Sequence, residues 1–214
     1  MKIARFATAV GVAASVVLAV PGPASAGQSA PPVPTEAQIR QDLDDAVSVV
    51  DEYWREHFSD FFEGTYRAPK VLGIVDENTR TGCGAAMRDN AFYCPADRTI
   101  NFGVDFVMLE AEIGDMHPYI LVAHEWAHAI QSQIAKTDVW QAKELQADCM
   151  AGAVLADLVQ DGDLVLEKGD DKEIKNFYIA LDGPKWKKHG DHGSPEQRIA
   201  MFDLGWNGGM DACF

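Results

Sequence analysis

His124 and His128 stand four residues apart in LVAHEWAHAIQSQ (121–133), with Glu125 beside the first. On a helix that spacing puts both imidazoles on one face, one turn apart. Each can then offer a ring nitrogen to a single zinc ion at about 2.0–2.1 Å. Glu125, about 100° further round the helical wheel, reaches the space beside the ion without having to bind it. The pattern is H-E-x-x-H: two metal ligands and a base for the water that the metal activates. Zinc lowers the pKa of such a water toward about 7, so a carboxylate can take its proton as it attacks a carbonyl.

A catalytic zinc needs a third protein ligand and an open fourth position. Downstream, KELQADCMAG (143–152) places Glu144 and Asp148 four apart, again on one helical face. Two acids on a helix are ordinarily solvated. Here Asp148 lies in a run of small residues, ADCMAGAVLAD, with the pattern of a buried segment, and buried carboxylates need partners. Glu144 is therefore the candidate third ligand. Asp148 is the candidate hydrogen-bond partner of a ligating histidine. Gln131, a turn beyond His128, has the reach to contact substrate or a backbone group.

These groups need elements to position them. Thr35 and Gln38 make a capping box, and Ile39, Leu43, Ala46, Val50, Trp54 and Phe58 follow at three- and four-residue steps. That spacing predicts a long first helix with one buried face. Short strands are predicted at 70–75, 91–94 and 98–103, from their β-branched and aromatic content between turn residues. Ile120, Ala123, Ala127, Ile130 and Ile134 form the apolar stripe of the motif helix. A second helix is expected over 139–160 and a third over 172–181. A fourth follows Ser194-Pro195-Glu196-Gln197, a capping box with proline at its first position. The interval between His128 and Glu144 allows an antiparallel helix pair. Strands come first and helices later, which is the order of an α+β fold.

The first 26 residues read as a secretory signal. Lys2 and Arg5 precede an apolar run of about 15 residues and the small-residue site Ala24-Ser25-Ala26. The run is shorter than the roughly 20 residues of a membrane span. Residues 27–34 form a flexible leader rich in Gly, Ser and Pro, and 35–214 are expected to make one domain. The formal net charge is −15, and loss of Lys2 and Arg5 with the signal makes it two units more negative. Such a surface repels phosphate backbones, so nucleic acid is not an expected partner. An even set of four cysteines fits an oxidising compartment, where three pairings are possible. Cys83 and Cys94 are close together in a turn-rich stretch and are expected to close a small loop. Cys149 and Cys213 remain for a second bridge.

The stretches GCGAAMRDNAFYCPADRTI, AHEWAHAIQ, ELQADCMAG and HGSPEQRIAMF, with a cysteine near the carboxyl end, resemble the bacterial putative neutral zinc metallopeptidase family. The likeness covers residues 71–214. It implies a zincin-like fold, a small mixed sheet with an active-site helix and a helical C-terminal half. It also implies zinc-dependent peptidase activity, with His124, His128 and Glu144 as ligands and Glu125 as base. Glu144 to Asp148 is similar to the E-x-x-x-D of gluzincins, in which the glutamate binds zinc and the aspartate supports a histidine. A peptidase also needs a donor for the developing oxyanion, and HGDHGSPEQR (189–198) offers His189, His192 and Arg198. His192 resembles the histidine that some gluzincins use, whereas Arg198 reads as a bridge to Asp148 or Glu144. In zincins an edge strand beside the active-site helix pairs with the extended substrate, and 98–103 is the natural candidate.

The reading is a secreted, monomeric zinc metallopeptidase with one catalytic ion, a peptide or protein substrate and no membrane association after signal cleavage. Two alternatives keep the metal. One is a hydrolase of a non-peptide amide, such as one in the cell wall. The other is a non-catalytic, zinc-stabilised binding domain, which the presence of Glu125 argues against.

Overall fold

The computed structural model describes residues 33–181 and 192–214. In chain order these form α1 (Glu36–Phe61), β1 (Lys70–Val75), β2 (Arg80–Thr81), β3 (Gly84–Ala85), β4 (Ala91–Cys94), β5 (Thr99–Gly103), α2 (Val104–Val107), α3 (Glu110–Ile113), α4 (Met116–Gln131), α5 (Lys143–Asp161), α6 (Asp170–Ala180) and α7 (Pro195–Gly208). A 3-10 turn, Met210–Cys213, closes the chain. The segment expected to be a secretory signal, most of the expected leader and His189 lie outside the described residues.

The first helix starts where its capping box predicts. Thr35 Oγ1 accepts the Gln38 N–H, and the Gln38 side chain accepts the Thr35 N–H. Its predicted face is buried from Ile39 through Phe58, and Tyr53 joins it. That face packs on α4, and the Tyr53 hydroxyl donates to Asp157 of α5 at 2.7 Å.

The main sheet is small and mixed, in the order β1-β5-β4, with β1 parallel and β4 antiparallel to β5. All five β5 residues are buried, so β5 is the central strand of the layer beneath the helices. It starts at Thr99, one residue later than expected, because Arg98 takes a left-handed turn conformation with φ 58°. The β2–β3 hairpin lies beside the Cys83–Cys94 disulfide.

The helical half centres on α4 and α5. The helix expected from 139 begins only at Lys143. The Trp140 N–H and the Asp138 carbonyl are both hydrogen-bonded by the side chain of Gln146, at 3.1 and 2.7 Å. The stretch before α5 is thus tied to the helix from outside instead of extending it. At the other end Gly162 (φ 87°) provides the left-handed cap that stops α5. The third predicted helix appears as α6, and α7 opens on the predicted box of Ser194 and Gln197 with Pro195 inside it. Cys149 of α5 is bridged to Cys213, which fastens the last residues to the core.

α5 makes its broadest contact with α7. Two glycines bring their backbones together there. A Cβ on Gly152 would collide with the Phe202 carbonyl, and one on Gly205 would collide with the Cys149 carbonyl. The described residues make an α+β, zincin-like fold: a small mixed sheet, a central helix and a helical C-terminal half.

Candidate metal centre

α4 presents His124 and His128 one turn apart, their ring centroids separated by 4.8 Å and their planes at 89°. The first turn of α5 presents Glu144 to both. Glu144 Oε2 lies 3.3 Å from His124 Nε2 and 3.5 Å from His128 Nε2. Around a tetrahedral ion with bonds of about 2.0–2.1 Å, neighbouring donors stand roughly 3.3–3.4 Å apart. The 3.3 Å distance matches that edge and the 3.5 Å distance is slightly longer, and two imidazole nitrogens with one carboxylate oxygen are donors that zinc accepts. The residues fit the metal. His192 approaches as well, since the donor atoms of His124, Glu144 and His192 lie within 4.8 Å of one another. Its Nδ1, however, is only 2.7 Å from the same Oε2. That is a hydrogen bond, shorter than a coordination edge, so His192 acts on the carboxylate while the two α4 rings flank it.

The ring nitrogens facing away from Glu144 are also engaged. His124 Nδ1 lies 2.9 Å from Asp148 Oδ1, and Arg198 grips Asp148 with two hydrogen bonds of 2.7 and 2.8 Å. Asp148 was expected to support a histidine and Arg198 to bridge an acid, and the structure brings both together with His124. His128 Nδ1 lies 2.9 Å from Gln131 Oε1. Gln131 was expected to reach substrate or a backbone group, and its Nε2 donates to the Lys143 carbonyl at 2.9 Å. Its contact with His128 and the fully buried Gln146 behind it were not predicted. Amides carry no spacing signature, and these contacts span turns and loops as well as helices.

The electrostatics follow from this packing. Burial acts to raise the Glu144 carboxyl, but hydrogen bonds with His124, His128 and His192 hold it well below the usual carboxylate range. Burial acts to lower His124, yet the charge and hydrogen bond of Asp148 raise it to about 10. A metal ion must compete with that proton. Burial also works against the Asp148 carboxylate, and Arg198 with His124 outweighs it and lowers the pKa.

Glu125 is nearly buried. Its Oε2 accepts the backbone N–H of Tyr93 in β4 at 2.8 Å. The strand beside the candidate centre is therefore β4, and the expectation that 98–103 would pair with substrate is corrected. β5 is hydrogen-bonded on both edges, to β1 and β4, so it has no free edge to offer. A cavity of about 360 Å³ opens over the cluster, lined by Tyr93, Glu125, His128, Glu144 and His192, with Phe106, Leu121 and Phe177 as an apolar wall.

The model of the family described as "Putative neutral zinc metallopeptidase" matches residues 2–213. No curated protein and no solved structure matches the chain.

Proposed function

This chain belongs to the putative neutral zinc metallopeptidase family, and on that premise we propose that it is a secreted peptidase whose zinc is held by His124, His128 and Glu144. The observation that carries the reading is the pair of donor distances at Glu144 Oε2, 3.3 and 3.5 Å, from two rings whose other nitrogens are already engaged. When bound there, zinc supplies Lewis acidity, polarising a carbonyl and acidifying water.

The chain's own residues do the rest. Glu125 takes a proton from the attacking water and passes it to the leaving amine nitrogen. The Tyr93 N–H pins one oxygen of that carboxylate to β4, so the other is oriented for proton exchange. His192 is the donor assigned to the developing oxyanion. With Nδ1 directed at Glu144, its Nε2 can donate only while the ring is an imidazolium. Substrate lies extended along β4, its side chains toward the wall of Phe106, Leu121 and Phe177. Export is supported by two disulfides, which persist in oxidising compartments. Among the described residues no helix is long and apolar enough to cross a membrane.

The test combines zinc content with hydrolysis of a peptide library, with and without chelator. The unaltered protein should bind zinc and cleave, and chelator should abolish cleavage. Glu125→Gln should keep the zinc and the Tyr93 contact while hydrolysis falls by at least about 10²-fold, the lower range for a lost acid–base group. An unchanged rate in that variant removes Glu125 from the mechanism.

A further inference from the structure

The two rings of the H-E-x-x-H helix are steered by unlike partners. For His124 the partner is the buried Asp148–Arg198 ion pair. For His128 it is a chain of neutral amides that ends at the Cys213 carbonyl.

The chain has a fixed polarity, readable from its far end. Gln146 is wholly buried, and its Nε2 faces the carbonyl oxygens of Asp138 (2.7 Å) and Cys213 (3.0 Å). Carbonyls only accept, so the amide nitrogen must sit there. Its Oε1 faces the Trp140 N–H at 3.1 Å, which only donates. The same Oε1 therefore takes its second hydrogen bond from Gln131 Nε2, at 3.1 Å, and that nitrogen also reaches the Lys143 carbonyl at 2.9 Å. All four hydrogen-bonding positions of the Gln146 amide are used. Gln131 is thereby turned so that Oε1 meets His128 Nδ1 at 2.9 Å. An acceptor at that nitrogen demands Nδ1–H, which leaves the lone pair on Nε2, the atom that faces Glu144.

We propose that Gln131 and Gln146 are positioning residues that fix the tautomer and tilt of His128, with the Cys213 carbonyl, held in place by the Cys149–Cys213 bridge, as the far anchor. The proposal rests on the metal reading above. Partners of this kind set how well a ligand is presented, and their loss costs about 10–100-fold in metal affinity.

The experiment measures zinc dissociation constants by chelator competition, together with the imidazole ¹⁵N shifts of His128 in chelator-treated protein. Gln131→Leu should bind zinc about 10–100-fold more weakly and lose its preference for the Nδ1–H tautomer. Gln131→Glu should keep the Nδ1–H tautomer, since a carboxylate still accepts from it. It should bind zinc with an affinity between those of the unaltered chain and Gln131→Leu, because its second oxygen has no proton to give the Lys143 carbonyl and Gln146 Oε1. Gln146→Met should weaken binding less than Gln131→Leu, because Gln131 keeps the Lys143 carbonyl. If Gln146→Met does not fold, the Gln131 pair decides alone. Wild-type affinity and tautomer in Gln131→Leu, with zinc lost in His128→Ala, overturn the positioning role and leave the metal reading intact. If His128→Ala binds as tightly as the unaltered chain, or that chain takes up no zinc, both fall.

Discussion

His117, in the first turn of α4, and His124, two turns further on, are both buried in the same helix and are treated in opposite ways. His117 sits edge-on to Phe106 and tilted against Phe177, with ring centroids 5.7 and 5.4 Å away, and among the described residues neither of its nitrogens has a hydrogen-bond partner. Burial alone pushes it down to about 3, so the ring is neutral in the fold. His124 loses as much solvent, yet Asp148 reverses the sign of the shift. Burial by itself makes an imidazole into a polar filler. A carboxylate on one nitrogen turns the same ring into a cation site whose other nitrogen faces outward. The difference lies in the neighbours, α2 and α6 at one end of α4, α5 and α7 at the other.

The contrast between the two rings depends most on Asp148. Asp148→Ala leaves Arg198 charged and unpaired in the interior, and removing one partner of a buried pair costs about 3–5 kcal/mol. Denaturant unfolding should show that loss, and zinc affinity should fall with it. A change below about 1 kcal/mol would mean that the ion pair is not what holds His124.

A smaller and more specific effect is in pH. His117 has a folded pKa below its unfolded value near 6.5, so its contribution is complete above about pH 6.5 and is lost as pH falls toward 3. His124 has a folded pKa above that value. In chelator-treated protein its contribution is complete below about pH 6.5 and is lost as pH rises toward 10. Each slope is limited to about 1.4 kcal/mol per pH unit for one proton. His117→Phe should therefore flatten the acid limb of unfolding free energy against pH and leave the alkaline limb as it was. An unchanged acid limb would show that the carboxylates, not His117, set acid stability.

The centre was legible wherever chemistry coincided with helical spacing. His124 with His128, and Glu144 with Asp148, each sit four apart, and once both segments are helical their convergence needs only that α4 and α5 touch. Caps were legible for the same reason, since Thr35 with Gln38 and Ser194 with Gln197 are local pairs. Sheet order was not. Nothing in residues 98–103 shows that both edges are taken, because that depends on β1 arriving parallel, its paired residues 28 or 29 positions upstream. The start of α5 was misplaced because Val139, Trp140 and Ala142 have the composition of a helix. What removes them is a side chain, Gln146, that lies later in the sequence. His117 drew no attention because a buried histidine without partners leaves no pattern at all.

Gly152 and Gly205 carry one more consequence. Glu144 and Asp148 ride on one of the two helices they join, Arg198 on the other, and the spacing of those helices is set by two missing methyl groups. Alanine at either position would act as a shim, widening the gap. The guanidinium would then be drawn away from its acid with no charge altered. A defect in zinc loading could thus arise at a hydrocarbon contact that touches neither the cation nor any group that binds it.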